Sequence, residues 1–237
     1  WATNAPFPGT KQYASMLGGI RNAMIMTWPA RQQQAKGAFC PQFGHLIDIA
    51  PTVLEAANLT APETVNGVKQ KPLDGQSLLS SLNQCEPDKP RTQYFEIAGK
   101  GGLYHNGWFA SREDGRSAWA FKPPAEGKPD ISWSLYDLRS DFSQSTDVSA
   151  KNPDQLKSLI SLWESEAKRN NVYPLIHAFG YGRYPAEQIR RAMEATPKPV
   201  TLWGKNVSAA SNALPARKSF TLTADIKRHS DDASGVV

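Results

Sequence analysis

The sequence contains few cysteines. Among its 237 residues, only Cys40 and Cys85 carry a thiol. They form no C-x-x-C motif and have no histidine pair nearby, which argues against a zinc site. One disulfide and two free thiols both remain open. The sequons at Asn58 and Asn206 matter only in a eukaryotic secretory protein, so a cytoplasmic and a periplasmic or secreted location also remain open.

Long apolar runs and a cleavable leader are also missing. No stretch approaches the roughly eighteen consecutive apolar residues of a membrane-spanning helix, so we expect no membrane span. The first residues do not show the charged and then apolar pattern of a signal peptide. Trp1 is not an initiator methionine, and the final DDASGVV resembles the beginning of a strand. We therefore expect the chain to be an internal fragment of a longer polypeptide.

Basic residues are only slightly in excess. The chain has 27 lysines and arginines against 22 acidic residues, which gives a net charge of +5. The basic residues are dispersed, and no RRM, zinc-finger or helix-turn-helix signature is present. The composition therefore indicates some affinity for anions but does not predict nucleic acid as a partner.

The common catalytic motifs are absent as well. The sequence has no G-x-S-x-G elbow, H-E-x-x-H helix, Walker loop or EF-hand loop. The loops GKGG and FGYGRY lack the strand-to-helix context of a phosphate-binding loop. The four histidines (His45, His105, His177 and His229) lie in separate predicted elements without metal-ligand spacing. His105, at a predicted hairpin tip beside Trp108, is the best of them for contact with a ligand.

Residues 1–90 show an α/β pattern. NAMIMTWPA, residues 22–30, predicts a buried strand that ends at Pro29. HLIDIAPTVLEAANL, residues 45–59, predicts a helix with Asp48 as its N-cap and Pro51 in its first turn. A strand, a loop and a helix in this order are typical of an α/β domain.

Residues 91–175 change to a β pattern that a helix closes. TQYFEI, GLYH, WFASRED, SAWAFK and WSLYDL predict strands, and Asn106-Gly107 predicts a tight hairpin between the second and the third. Asn152 as a cap and Pro153 at the first position begin a helix. An antiparallel sheet with one helix makes an α+β subdomain. The helix carries one apolar stripe, formed by Leu156, Leu159, Ile160, Trp163 and Ala167.

Two further features complete this prediction. The acidic residues Asp137, Asp141 and Asp147 lie between the last strand and the helix, and we interpret them as turn and capping residues. Residues 176–196 are interrupted by proline and glycine and read as a linker. SFTLTADIKR then alternates as a half-buried strand does, which predicts the start of a β-rich domain over residues 197–237.

Five segments, taken together, resemble the C-terminal half of an arylsulfatase, in the sulfatase family of the alkaline-phosphatase-like superfamily. They are PFPGTKQYASMLGGIRNAMIMTWPA, HLIDIAPTVLEAANL, VNGVKQKPLDGQSL, RTQYFEIAGKGGLYHNGWFASR and WSLYDLRSDFSQSTDVSAKNPDQLKSLISLWESEA. The β-rich tail is similar to the extra domain of the long sulfatases. The resemblance implies that residues 1–90 end the catalytic α/β domain and residues 91–175 form its C-terminal subdomain.

The resemblance assigns a role to Lys11. In sulfatases a lysine before a Gly-Gly-x-Arg motif contacts the sulfate group, and Lys11 stands there, ahead of Gly18, Gly19 and Arg21. Its expected role is both substrate-binding and catalytic, since a fixed ammonium stabilises charge on the sulfate oxygens. The last three residues are interpreted as backbone and strand-packing positions. The hairpin around His105 is expected to wall the substrate entrance.

The rest of the family's catalytic machinery does not match this sequence. Sulfatases use a formylglycine made within a C-x-P-x-R motif, and neither FCPQFG nor QCEPDK fits that motif. The divalent cation, usually calcium, is held by acidic residues and an asparagine. The resemblance therefore implies that the formylglycine and the calcium ligands lie upstream of this chain.

The predicted function is the hydrolysis of sulfate esters, either aryl or alkyl sulfates or sulfated sugars, together with the remainder of a sulfatase chain. Two alternatives stay open. The first is a phosphodiesterase or phosphonate monoester hydrolase of the same superfamily, because such sites share the metal and the cation. The second is a non-catalytic module that binds polyanions through the basic surface.

Overall fold

The computed structural model describes residues 4–30, 37, 39–85, 89–117, 130–175 and 177. Over these ranges the chain forms three α-helices and six strands. The helices are α1 (Leu17–Ile20), α2 (Ile49–Ala56) and α3 (Pro153–Arg169). The strands are β1 (Thr64–Val65), β2 (Val68–Lys69), β3 (Thr92–Ile97), β4 (Lys100–His105), β5 (Trp108–Glu113) and β6 (Ser132–Asp137).

Strands β3 to β6 form an antiparallel sheet in chain order. The hairpin predicted at Asn106-Gly107 is present, because His105 pairs with Trp108 and both turn residues have positive φ, 48° and 86°. The predicted strand SAWAFK lies outside the described residues from residue 118 onward. The described sheet therefore follows the order of the other four predicted segments.

Helix α3 covers one face of this sheet. Leu103, Ala110 and Leu135 are neighbours across β4, β5 and β6 and point to the same side, where they are fully buried. The helix lays its own apolar stripe on them, and its buried members are Leu159, Trp163 and Ala167. Pro153 occupies the first turn as predicted. The side chain of Asn152 makes no capping bond and donates to the carbonyl of Val148 at 3.0 Å.

The opposite face of the sheet is covered by residues that come earlier in the chain. Because side chains alternate along a strand, Gly102 and Ser111 point away from α3. Ser111 Oγ donates to the carbonyl of Ser15 at 2.8 Å, and a Cβ on Gly102 would overlap the carbonyl of Ala14 and the ring of Phe109. The segment that carries Lys11 therefore packs on the face opposite α3.

Helix α2 forms where predicted, but its polar and apolar residues behave differently from the prediction. Asp48 does not cap it. Its carboxylate instead accepts hydrogen bonds from the backbone of His45 and Gln76, both at 2.8 Å. No residue of α2 is buried, and Ile49 and Val53 are largely exposed. Cys40 and Cys85, whose state the sequence left open, form a disulfide.

The strand predicted over residues 22–30 is wrong. Residues 22–28 belong to no helix or strand, and Ile25 is 95% exposed. An apolar run becomes a buried strand only where another strand pairs its backbone, and no described strand lies beside this one. Arg21 was predicted to be a strand-packing residue, but it lies on no strand and directly follows α1. Its guanidinium lies 4.8 Å from the centre of the Phe7 ring and 4.1 Å from that of Phe142.

The predictions for residues 176–237 fall almost entirely outside the described part of the chain. The chain divides into two units, Trp1–Arg183 and Tyr184–Val237, and only the first contains described residues. The predicted linker over residues 176–196, apart from residue 177, and the β-rich domain over residues 197–237 lie outside the described residues.

Of the described helices, none is long and apolar enough to cross a membrane.

Candidate functional site

Lys11 lies in a turn that rests on the glycine pair. The amide of Tyr13 donates to the carbonyl of Thr10 at 3.2 Å and closes the turn around Lys11. Gly18 and Gly19 are the two middle residues of the short helix α1, and a Cβ on Gly19 would overlap the carbonyls of Thr10 and Tyr13. The turn therefore approaches α1 closely only because position 19 has no side chain.

The Lys11 side chain is exposed. Its ammonium makes no hydrogen bond or ion pair with any of the residues that the structure describes. The residues before and after it are held in place, because Asn4 Nδ2 donates to the carbonyl of Gly18 at 3.0 Å and the amide of Gly18 donates to the carbonyl of Pro8 at 2.8 Å. The arrangement presents a cation to solvent from a well-braced loop.

A buried ionic cluster lies where this loop meets the sheet. Lys100 is 2% exposed, and its ammonium donates to Glu113 and Asp114, at 2.7 Å in each case. Asp114 also accepts from Arg116 at 2.7 Å and lies 3.2 Å from His177 Nδ1. We name these five residues the Lys100 cluster. Burial alone would raise the pKa of Asp114, but its three hydrogen-bonding partners outweigh burial and hold that pKa well below its usual range.

The Lys100 cluster is joined to the Lys11 loop. Ser15 is fully buried, and its hydroxyl donates to Glu113. The ammonium of Lys100 also lies 5.3 Å from the centre of the Tyr13 ring, within cation–π range. The GKGG segment (residues 99–102) is therefore the last turn residue and the beginning of β4, and its lysine is buried in an ion pair beside the Lys11 loop.

His105 lies in a different place. Its Nδ1 is 2.8 Å from Thr92 Oγ1, and its Nε2 is 3.2 Å from Asn106 Nδ2. Both contacts are satisfied when Nδ1 donates to Thr92 and Nε2 accepts from Asn106. His105 lines an open groove of about 350 Å³ together with Gln76, Pro90, Arg91, Thr92, Asn106, Glu166 and Arg169.

The structure does not bring Lys11 and His105 together. The Lys11 loop packs on one face of the sheet near Gly102, whereas the groove at His105 is shared with the end of α3 on the other face. His105 also stands three residues further along β4, roughly 10 Å from Gly102. Each residue stays a separate prediction.

A buried ion pair supports the groove at His105. Arg91 Nη1 donates to Asp48 at 2.9 Å, and both side chains are almost fully buried. Arg91 also donates to Gln93 at 2.7 Å. This pair was not predicted from the sequence, because its two residues are 43 positions apart and no local pattern joins them.

The acidic residues between β6 and α3 have structural roles. Asp141 accepts hydrogen bonds from the backbone of Ser145 and Thr146, and Asp147 accepts one from the amide of Leu135 at 3.0 Å. These contacts confirm the interpretation of the acidic cluster as turn residues. The loop FGYGRY, from residue 179, and His229 lie outside the described residues. In the described part of the chain, no three His, Cys, Asp or Glu side chains are grouped so that they could hold a metal ion.

Sequence reasoning missed the Lys100 cluster and one residue that contacts the Lys11 loop, Gln144. The alternating charges of REDGR (residues 112–116) were a signal that was available for the cluster. No comparable signal marked Gln144, whose neighbours in the sequence are ordinary turn residues. Its contacts are made with residues more than a hundred positions away.

Comparison with known proteins bears on the fold. No protein-family model matches the chain, and no curated protein matches it in sequence. Solved sulfatase structures are among those that resemble it. Ps i-CgsB in complex with k-i-k-neocarrahexaose aligns over 82% of this chain with 20% identity and a TM-score of 0.50. The chain spans 38% of the length of that protein.

Two weaker matches accompany it. BT33336S-sulf of Bacteroides thetaiotaomicron aligns with 19% identity over 54% of this chain and 26% of its own, with a TM-score of 0.37. BT4656, solved in complex with its substrate D-glucosamine-2-N,6-O-disulfate, aligns with 17% identity over 54% of this chain and 24% of its own, with a TM-score of 0.36. The similarity to Ps i-CgsB concerns the fold alone.

Proposed function

We propose that this chain is part of a sulfatase that hydrolyses sulfate esters, and that it contributes Lys11 as a sulfate-binding residue. The fold shared with Ps i-CgsB over 82% of the chain supports the family. The observation that carries the role of Lys11 is its exposed ammonium, without a partner among the described residues, on a loop braced by α1 and the sheet. The substrate class extends from aryl and alkyl sulfates to sulfated sugars.

The chemistry suits a lysine. A sulfate ester carries its negative charge on peripheral oxygens, and breaking the bond between sulfur and the ester oxygen redistributes that charge. A fixed cation beside these oxygens stabilises the redistribution without having to reorganise. An ammonium is a compact charge with three donors, which matches a tetrahedral oxyanion from several directions. Lys11 would therefore bind the sulfate group and stabilise the transition state.

The formylglycine and the calcium ion that the resemblance implies do not fit the described residues. Cys40 and Cys85 are bonded to each other, and the described part of the chain contains no metal-ligand cluster. Both groups therefore stay predictions for other parts of the polypeptide. We assign to this chain the binding of the sulfate oxygens and the stabilisation of the charge that develops on them, and no other part of the reaction.

The exposed apolar residues support membership of a larger domain. Ile25, Ile49 and Val53 are all substantially exposed, and Leu46 and Leu59 add to the same surroundings of α2. Exposed apolar side chains in such number usually mark an interface. We infer that the remainder of a sulfatase catalytic domain covers them.

The test is the variant Lys11→Ala in the full-length polypeptide, assayed on 4-nitrophenyl sulfate. We expect kcat/KM to fall by about a hundredfold, since one lost charge-stabilising donor typically has that effect. Lys157→Ala, which removes an exposed lysine of α3, is the matched control and should leave kcat/KM unchanged. A Lys11→Ala enzyme within a factor of two of the wild type would refute the assignment.

The same enzyme separates the alternative functions. A faster rate on bis(4-nitrophenyl) phosphate than on 4-nitrophenyl sulfate would favour a phosphodiesterase or phosphonate monoester hydrolase. No activity on either substrate and no release of sulfate from a sulfated glycan, together with salt-dependent binding of that glycan, would favour a polyanion-binding module.

A further inference from the structure

Gln144 contacts the loop that carries Lys11 through both ends of its side-chain amide. Its Nε2 donates to the carbonyl of Ser15 at 2.9 Å, and its Oε1 accepts from the amide of Leu17 at 2.7 Å. The side chain is 4% exposed. The amide therefore fixes the backbone on both sides of Met16, and it is well shielded from water.

The backbone at Gln144 is unusual for this residue type. Its φ is 58°, in the left-handed region that favours glycine. The turn geometry alone would be met more easily by glycine or asparagine. A glutamine at this position is explained by its side chain, which reaches groups 127 and 129 positions earlier in the chain.

The contact passes from Gln144 to the Lys11 turn through the backbone. Leu17 begins α1, and Gly19 in the same helix lies directly against the carbonyls of Thr10 and Tyr13. Those two carbonyls flank Lys11. Releasing Leu17 would allow α1 to shift, and the turn that rests on Gly19 would shift with it.

We propose that Gln144 is a positioning residue for Lys11, which it holds through Ser15, Leu17 and the glycine pair. This inference rests on the proposed function for the part that concerns sulfate. The part that concerns the loop stands apart from that function, because it states only how the Lys11 loop is held and by which residue. Ser111 and Glu113 hold Ser15 from the sheet, and Gln144 is the residue that holds Leu17.

The test uses two variants of the full-length polypeptide. Gln144→Met keeps the volume of the side chain but removes both hydrogen bonds, and Gln144→Gly removes the amide while relieving the positive φ. In both variants we expect the inhibition constant for inorganic sulfate to rise, and kcat/KM on 4-nitrophenyl sulfate to fall, by about tenfold, since a displacement of about 1 Å in a catalytic group has effects of this order or larger. Gln70→Met removes an exposed glutamine amide and should change neither value.

Three further measurements separate positioning from stability. Amide exchange in the peptide over residues 8–20 should accelerate roughly fivefold in Gln144→Met, as expected for the loss of the hydrogen bond that the Leu17 amide donates. Combining Gln144→Met with Lys11→Ala should lower kcat/KM no further than Lys11→Ala does alone, since a positioning residue acts through the lysine. Gln144→Glu keeps the acceptor for Leu17 and should recover part of the loss.

The outcomes distinguish the two claims. If Gln144→Met and Gln144→Gly showed wild-type amide exchange, sulfate inhibition and kcat/KM, the role of Gln144 would be overturned and that of Lys11 would be left intact. A full additional loss in the double variant would also overturn it, because Gln144 would then act independently of Lys11. If Lys11→Ala binds sulfate normally, the proposed function fails, while accelerated exchange in Gln144→Met would still support Gln144 as the residue that holds the loop.

Discussion

Replacing Lys100 with methionine should destabilise the protein strongly, because its ammonium is the shared partner of two carboxylates. Lys100 and Asp114 are almost completely buried, and Glu113 is 21% exposed. Methionine fills a similar volume, so the change removes the charge and little packing. Removing one partner of a buried ion pair typically costs about 3–5 kcal/mol, because the charge left behind is uncompensated.

The contacts that remain place the expected loss at the lower end of that range. Asp114 keeps Arg116 at 2.7 Å and His177 at 3.2 Å, and Glu113 keeps the hydroxyl of Ser15. We therefore expect Lys100→Met to lower the free energy of unfolding by about 3 kcal/mol. With a urea m-value of about 2 kcal/mol/M, the midpoint of urea unfolding should fall by about 1.5 M.

The assay is urea unfolding followed by tryptophan fluorescence, with Lys71→Met as the control. Lys71 also bonds an aspartate at 3.0 Å, but its side chain is 67% exposed, so its loss should cost less than about 1 kcal/mol. Adding Glu113→Gln to Lys100→Met should recover part of the stability, because it removes one of the stranded charges. Equal midpoints for Lys100→Met and Lys71→Met would refute the reasoning from burial.

Two further predictions concern acid and reductant. The stabilisation from Asp114 is fully present above the ordinary carboxyl pKa of 3.8 and is lost as the pH falls through its lower pKa in the folded state. We therefore expect the free energy of unfolding to decline below about pH 4. The variant Asp114→Asn should remove this part of the decline. Identical acid dependence in the wild type and in Asp114→Asn would contradict the role of this carboxylate. Replacing Cys40 and Cys85 by serine should cost about 2–4 kcal/mol, since the disulfide closes a long loop. The measurement is the Tm with and without reductant, and an unchanged Tm would count against the bond.

The elements that the sequence predicted correctly are those with local signals. Asn106-Gly107 defines its hairpin through two residues that tolerate positive φ. Helix α3 begins at Pro153, and its buried residues Trp163 and Ala167 belong to the predicted stripe. Turn chemistry and a 3.6-residue period are properties of neighbouring residues, so they can be recognised in one sequence.

The strand predicted over residues 22–30 failed for the opposite reason. Its apolar composition is that of a buried strand, but a strand also requires a partner for its backbone. None of the described strands pairs with it, and Ile25 is exposed to solvent. The apolar composition of this segment, like that of α2, indicates a surface that is suited to burial. It does not identify the residues that would bury that surface.

The position of Lys11 in the chain, the glycine pair after it, the hairpin and α3 were all evident from the sequence alone, because each depends on residues close together in the chain. The pairing of Cys40 with Cys85, the burial of Lys100 and the hold of Gln144 on Leu17 were decided only by the tertiary structure. The physical reason is distance along the chain. A buried charge or amide is stable only when its partner is present, and here the partners come from other strands and loops.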